Sequence, residues 1–255
     1  NRDKPLFCIT NLLDTHNPHH APPNVGAEAL GLFVSSEERR ALAAANDDRR
    51  YMLENADLPR ESAEFFDSWD DVFARREEIY DAQIRYFDHL IESWMKRLEQ
   101  RLLDESLIVV TGDHGQLFGA EDQLGHQVSL HPHGIHVPLY VLPPASWETD
   151  VTVERAVSWV GLSSALESVV HGTVTGTEAF VDAVVEGSRT DGHVVVAVDG
   201  PTWNVAELRE GYDEDSVCVR RVGFVESDEM IVYESGWGSS EICERVYEVR
   251  DGSRA

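Results

Sequence analysis

Lysine is nearly missing from this chain. Only Lys4 and Lys96 occur, every other basic side chain among the 21 is arginine, and 47 aspartates and glutamates oppose them. The resulting net charge of −26 excludes nucleic acid and anionic lipid as partners, because such a surface repels both. Cysteine is scarce too. Cys8, Cys218 and Cys243 are odd in number, far apart and form no C-x-x-C, so neither a disulfide framework nor a zinc knuckle follows. Long hydrophobic runs are lacking: no stretch of about 18 apolar residues exists, and no membrane-spanning helix is expected. No signal peptide opens the sequence, which starts with Asn1, and a cytoplasmic location is the expectation. Nothing in the composition fixes the oligomeric state.

What is present is an ordinary apolar share, 42% of 255 residues. That suffices for one sizeable α/β core with a small appended subdomain. Strong acidity with few lysines and a normal core is the composition of a salt-adapted protein, of the kind salt-loving archaea make. Its stability is expected to rise with salt, which screens the self-repulsion.

Along the chain, Leu6 to Leu13 is an apolar run that predicts a buried strand, with Cys8 in the core. It leads into a His- and Pro-rich loop, Asp14 to Pro23. Helical pieces are expected around 36–46 and 60–77. From Ile79 to Leu103 the spacing of Tyr80, Ile84, Phe87, Ile91, Trp94 and Leu98 predicts a long amphipathic helix facing the core with that stripe. A turn at Asp104-Glu105-Ser106 precedes Leu107 to Thr111, a continuous apolar run typical of a parallel-sheet strand buried on both faces. His136 to Leu142 reads as a second strand, with Pro138 marking an edge or a strand start. Trp159, Leu162, Leu166 and Val169 share a face of a helix over 153–170, with Gly172 as its C′ residue. A Gly/Thr-rich connection follows. Residues 193–198, 217–224, 229–234 and 244–249 predict strands. The expected fold is α/β, with a mostly parallel sheet and flanking helices over 1–190 and a small antiparallel subdomain over 191–255.

The strongest chemical signal is Thr111-Gly112-Asp113-His114-Gly115. In parallel α/β sheets ligands sit off the carboxyl ends of strands. A carboxylate and an imidazole there can share a divalent cation, and the flanking glycines permit a tight turn. An isolated Asp-His pair is more often a cap and a packed ring, so context decides.

That context is helix, turn, apolar strand, T-G-D-H-G, a loop with Gly125-His126-Gln127, then I-H-V-P-L-Y-V. It resembles the second half of the sulfatases, members of the alkaline-phosphatase superfamily. Tyr80, Ile84 and Asp88 match the family's helix, Val109 to Gly115 its metal strand, Gly119 to Gln127 its glycine-rich loop, and Val137 to Val141 its V-P-L strand. Asn11 to His19 is similar to the strand that ends in a His-x-Pro-Tyr motif, with His19 replacing the tyrosine. Val246-Tyr247-Glu248-Val249 matches the closing segment more loosely.

The resemblance implies an alkaline-phosphatase-like fold and metal-dependent hydrolysis of a small-molecule or glycan sulfate ester. It makes Asp113 and His114 ligands of a divalent cation, Ca²⁺ in most sulfatases. The nitrogen donor leaves Mg²⁺, Mn²⁺ or Zn²⁺ open. His16 becomes a contact to the sulfate. His126 matches a substrate-contacting position, and as a histidine it is a candidate general acid for the leaving alcohol. His19, His20, His131 and His133 match no zinc spacing and are read as solvated or capping, and His136 as structural. The family's nucleophile motif, C/S-x-P-x-R, follows none of the three cysteines, and its N-terminal metal aspartates have no counterpart. The chain is therefore expected to be a fragment, inactive alone. A phosphodiesterase, phosphonate hydrolase or phosphoglycerol-type transferase of the same superfamily is the alternative, and a non-catalytic binding homologue the third reading.

Overall fold

The computed structural model describes residues 6–13, 15–16, 32–47, 57–120, 124–126, 129–147, 151–190, 193–201, 218–226, 229–236 and 242–249. In chain order its helices are α1 (Ser36–Asp47), α2 (Arg60–Ala63), α3 (Trp69–Met95), α4 (Gln100–Glu105), α5 (Pro132–Ile135), α6 (Trp159–Val170) and α7 (Thr177–Gly187). Its strands are β1 (Ile108–Thr111), β2 (Leu117–Phe118), β3 (Leu124–Gly125), β4 (Leu139–Leu142), β5 (Val194–Pro201), β6 (Cys218–Glu226), β7 (Glu229–Gly236) and β8 (Cys243–Glu248). They fall into two compact units. One joins Asn1–Leu98 to Gln116–Gly125, and the other joins Glu99–Gly115 to His126–Ala255. Among the described residues no helix is long and apolar enough to cross a membrane.

The first unit is helical. α1 opens with a capping box: Ser35 Oγ accepts from the Glu38 amide at 3.0 Å while Glu38 accepts from the Ser35 amide at 3.4 Å, satisfying two orphan donors at once. α3 starts earlier than its periodicity suggests, because Ser68 caps it by accepting from the Asp71 amide at 3.2 Å. Its buried face is Val72, Phe73, Arg76, Ile79, Ala82 and Gln83. The expected stripe is thus corrected: Ile84 and Trp94 are exposed. The core partners Val34, Leu42 and Ala45 meet α3 at Val72 and Ile79, so burial follows the N-terminal half of the helix. Arg75 ties the helices together, donating to Glu38 at 2.6 Å, to Glu78 at 2.6 Å and to the Phe33 carbonyl at 2.9 Å. The β2–β3 hairpin rests on α3, with Phe118 5.3 Å from the Tyr80 ring.

Residues 6–13 form no strand, and Leu6, Phe7, Ile9 and Cys8 are exposed. An apolar run becomes a strand only with a neighbour to bond its backbone, and no described strand pairs with it. The expected core position of Cys8 is corrected with it.

In the second unit β1 pairs with β4 antiparallel, Ile108 opposite Leu142 and Thr111 opposite Leu139. The parallel relation expected of these two strands does not occur. The connection carries the β2–β3 hairpin and the one-turn α5 in place of the helix that usually makes a parallel crossover. Nor are both faces buried. Leu107, Val109, Leu139 and Val141 meet a cluster of Leu162, Ala165, Val174, Phe180 and Val184 from α6, α7 and their connection, while Tyr140 and Leu142 are exposed. α6 is capped by Ser158, whose Oγ accepts from the Gly161 amide at 3.4 Å. It ends in a Schellman motif: Gly172 donates to Val169 and Thr173 to Ser168, both at 3.0 Å, as its C′ glycine predicts. α7 replaces the irregular connection expected after Gly172.

Strands β5 to β8 form an antiparallel meander. One cross-strand row, Val194, Val225, Met230 and Tyr247, faces inward on Leu130, with Ile135 beside it. The sheet therefore backs the segment that holds α5.

Candidate functional site

β1 runs out at Thr111, and the chain turns through Gly112, Asp113, His114 and Gly115 without regular structure. The turn is pinned at Gly115. Its amide donates to the Gly134 carbonyl at 2.7 Å, and a β-carbon at this position would lie 1.9 Å from the His133 carbonyl oxygen. Only glycine fits, so α5 fixes where the acid–imidazole pair stands.

Within the pair, the Asp113 carboxylate accepts from the His114 amide at 3.0 Å, and its other oxygen lies 3.8 Å from His114 Nε2. Asp113 is largely exposed and His114 one-third exposed, 73% and 33% of their side chains. His114 Nδ1 lies 2.9 Å from the Gly115 carbonyl. A carbonyl only accepts, so Nδ1 is the donor in this contact and Nε2 is the nitrogen on the Asp113 side. A backbone acceptor on one ring nitrogen is what orients a histidine ligand and sets its tautomer. His126 stacks on His114 with ring centroids 3.8 Å apart and planes 23° off parallel.

Three of the four residues singled out in the sequence are thus brought together: Asp113, His114 and His126. His16 belongs to the first unit, in a turn where its amide donates to the Leu13 carbonyl at 3.0 Å. His19 and His20 lie outside the described residues. Two donors of different type on one turn suit part of a divalent-cation site. Among the described residues no group of three His, Cys, Asp or Glu side chains gathers as a metal site would, so the donor set is partial.

Of the two sequence readings of His131, solvated or capping, capping is the one that holds. His131 is buried, 5% exposed, and caps α5, its Nδ1 accepting from the His133 amide at 3.2 Å. Pro132 at the first helical position was the available signal.

A carboxylate and an imidazole thus stand in consecutive positions at the carboxyl end of β1. A family model described as Sulfatase matches residues 1–170. The chain belongs to the sulfatase family, and so to the alkaline-phosphatase superfamily of hydrolases, whose sulfatase members generally use a divalent metal. No curated protein matches it.

Proposed function

We propose that this chain serves in the metal-dependent hydrolysis of a sulfate ester, carried by a small molecule or a glycan. The observation that carries the reading is the orientation of the His114 ring: Nδ1 lies 2.9 Å from the Gly115 carbonyl, which turns Nε2 toward the Asp113 carboxylate, 3.8 Å away. Asp113 and His114 would hold the cation. When bound, it would supply positive charge for the non-bridging oxygens as negative charge builds there. Ca²⁺ is the family's usual ion; the nitrogen donor also suits Mn²⁺, Zn²⁺ or Mg²⁺.

His126 lies against His114 and is exposed, which fits a group that contacts the ester and returns a proton to the departing alcohol oxygen. His16 is a candidate donor to an anionic ester oxygen. No nucleophile is assigned, since none of the cysteines carries the family's motif. In this reading residues 1–190 are the C-terminal part of the sulfatase-like α/β core and 191–255 a small antiparallel C-terminal subdomain.

The test is turnover of paired aryl sulfate and aryl phosphate esters by the natural protein that contains this chain. Asp113→Ala is expected to lower sulfate ester turnover on the order of a thousandfold, and His126→Ala to lower kcat more for poor leaving groups than for good ones. Normal sulfatase activity in Asp113→Ala overturns the assignment. Turnover of the phosphate ester alone transfers the site to the phosphoryl-transfer branch of the superfamily.

A further inference from the structure

The pair at the end of β1 is held from behind. Gly115 is clamped by two consecutive residues of α5, through the Gly134 carbonyl at 2.7 Å and the close approach of the His133 carbonyl. α5 is a single turn, and a helix that short does not hold itself. Its start depends on His131, whose Nδ1 accepts from the His133 amide at 3.2 Å. The His131 amide in turn donates to Ser129 Oγ at 2.9 Å, and the Gly134 amide donates back to the His131 carbonyl at 2.8 Å. The ring is seated by the C-terminal sheet: Tyr247 of β8, 2% exposed, meets it edge-on with centroids 5.3 Å apart. Leu130, just before it, lies in the sheet's inner core with Val225, Met230 and Val232.

We infer that His131 is a positioning residue for the Asp113–His114 pair, acting through the α5 cap on Gly115 and seated there by Tyr247. This rests on the reading of that pair as a cation-holding one. The C-terminal meander then has a role in the site without contributing a residue that touches substrate. The chain of contacts is continuous: Tyr247 ring, His131 ring, His133 amide, the His133 and Gly134 carbonyls, Gly115, His114. What the cap requires of residue 131 is an acceptor atom one side-chain length from the backbone, and asparagine offers one equally well. Phenylalanine keeps a ring against Tyr247 and offers none.

The experiment compares His131→Asn with His131→Phe in the full chain. Two signals are followed by nuclear magnetic resonance: hydrogen exchange at the Gly115 amide, and broadening of the His114 ring resonances by Mn²⁺ alone. Amides of Met230 and Val232 in β7 serve as the control for global opening. His131→Phe is expected to speed Gly115 exchange roughly fivefold, the equivalent of a lost N-cap. The Mn²⁺ midpoint is also expected to rise about tenfold, while the β7 amides keep their protection and His131→Asn, which keeps the acceptor but loses the ring against Tyr247, falls between the wild type and His131→Phe in both signals. Unchanged Gly115 exchange in His131→Phe overturns it. So does His131→Asn behaving like His131→Phe. If His131→Phe fails to fold, His131→Asn still decides against His131→Ala, which lacks both ring and acceptor. A wild-type chain in which Mn²⁺ leaves His114 untouched, while Gly115 exchange responds to the cap, supports the positioning role and counts against the cation reading alone.

Discussion

At the scale of residues, the candidate site is decided by backbone contacts more than by its side chains. Asp113 and His114 are ordinary residue types; what holds them in place is a turn whose geometry leaves no freedom at Gly115. Gly115→Ala would set a methyl group 1.9 Å from the His133 carbonyl oxygen, and the clash is with backbone, which cannot swing aside. Overpacking of this kind costs about 1–3 kcal/mol. Calorimetric melting is expected to show that loss, and hydrolase activity in the natural protein is expected to fall with it. A Gly115→Ala protein with native melting temperature and native activity would contradict the clamp. The Asp-His-Gly signal was legible in the sequence because all its chemistry sits in three consecutive residues. The seating of the His131 cap was not, because it comes from a fold-back contact with Tyr247, 116 positions away in the numbering.

At the scale of elements, capping and close packing set where helices lie. Two glycines near α6 separate these effects. Gly161 faces α7 so closely that a β-carbon would lie 2.1 Å from Ser188 Oγ and 2.2 Å from the Val184 carbonyl. Gly172 has φ +72° with nothing within 4 Å of an added β-carbon. Gly161→Ala is therefore expected to cost about 1–3 kcal/mol through overpacking, and Gly172→Ala about 1 kcal/mol through left-handed backbone alone. Urea unfolding of both variants ranks them; the reverse order would refute the packing argument. In the first unit, Arg75→Met removes donors to Glu38, Glu78 and the Phe33 carbonyl. Strain-free loss of such charge-assisted bonds is expected to lower stability by about 1–3 kcal/mol. No change in the urea midpoint would show that water replaces them at no cost.

Elements were legible wherever local signals were strong. α6 with its Gly172 stop, the strand leading into Asp113 and the C-terminal meander all follow from periodicity and turn residues. Four expectations failed for reasons that periodicity cannot carry. The apolar run 6–13 has no described strand to bond, so its composition does not make it a strand. The α3 stripe was displaced because burial depends on which neighbours arrive, and these cover Val72 and Ile79. α7 was hidden by a threonine- and glycine-rich lead, although Phe180 and Val184, four apart, are its buried residues. The direction of β4 against β1 depends on the path between them, a property of the connection rather than of either strand.

At the scale of the whole molecule, charge dominates. A chain with net charge −26 repels itself, and salt screens that repulsion beyond a Debye length of about 8 Å at physiological ionic strength, shorter at molar salt. The melting temperature is expected to rise steadily as sodium chloride is raised from 0.1 M to about 2 M. A flat or falling curve would remove the case for salt adaptation. The same charge bears on the site. A sulfate ester approaching so acidic a surface needs local positive charge, and a cation on Asp113 and His114 would provide it where the substrate reacts.

The most direct measurement is crystallographic: crystals of the chain soaked in Mn²⁺, with an anomalous difference map at the end of β1. The account predicts a peak about 2.0–2.3 Å from His114 Nε2 and an Asp113 carboxylate oxygen, with His114 Nδ1 still facing the Gly115 carbonyl. Anomalous density elsewhere on the acidic surface, with the 113–114 turn left bare at saturating Mn²⁺, would contradict it.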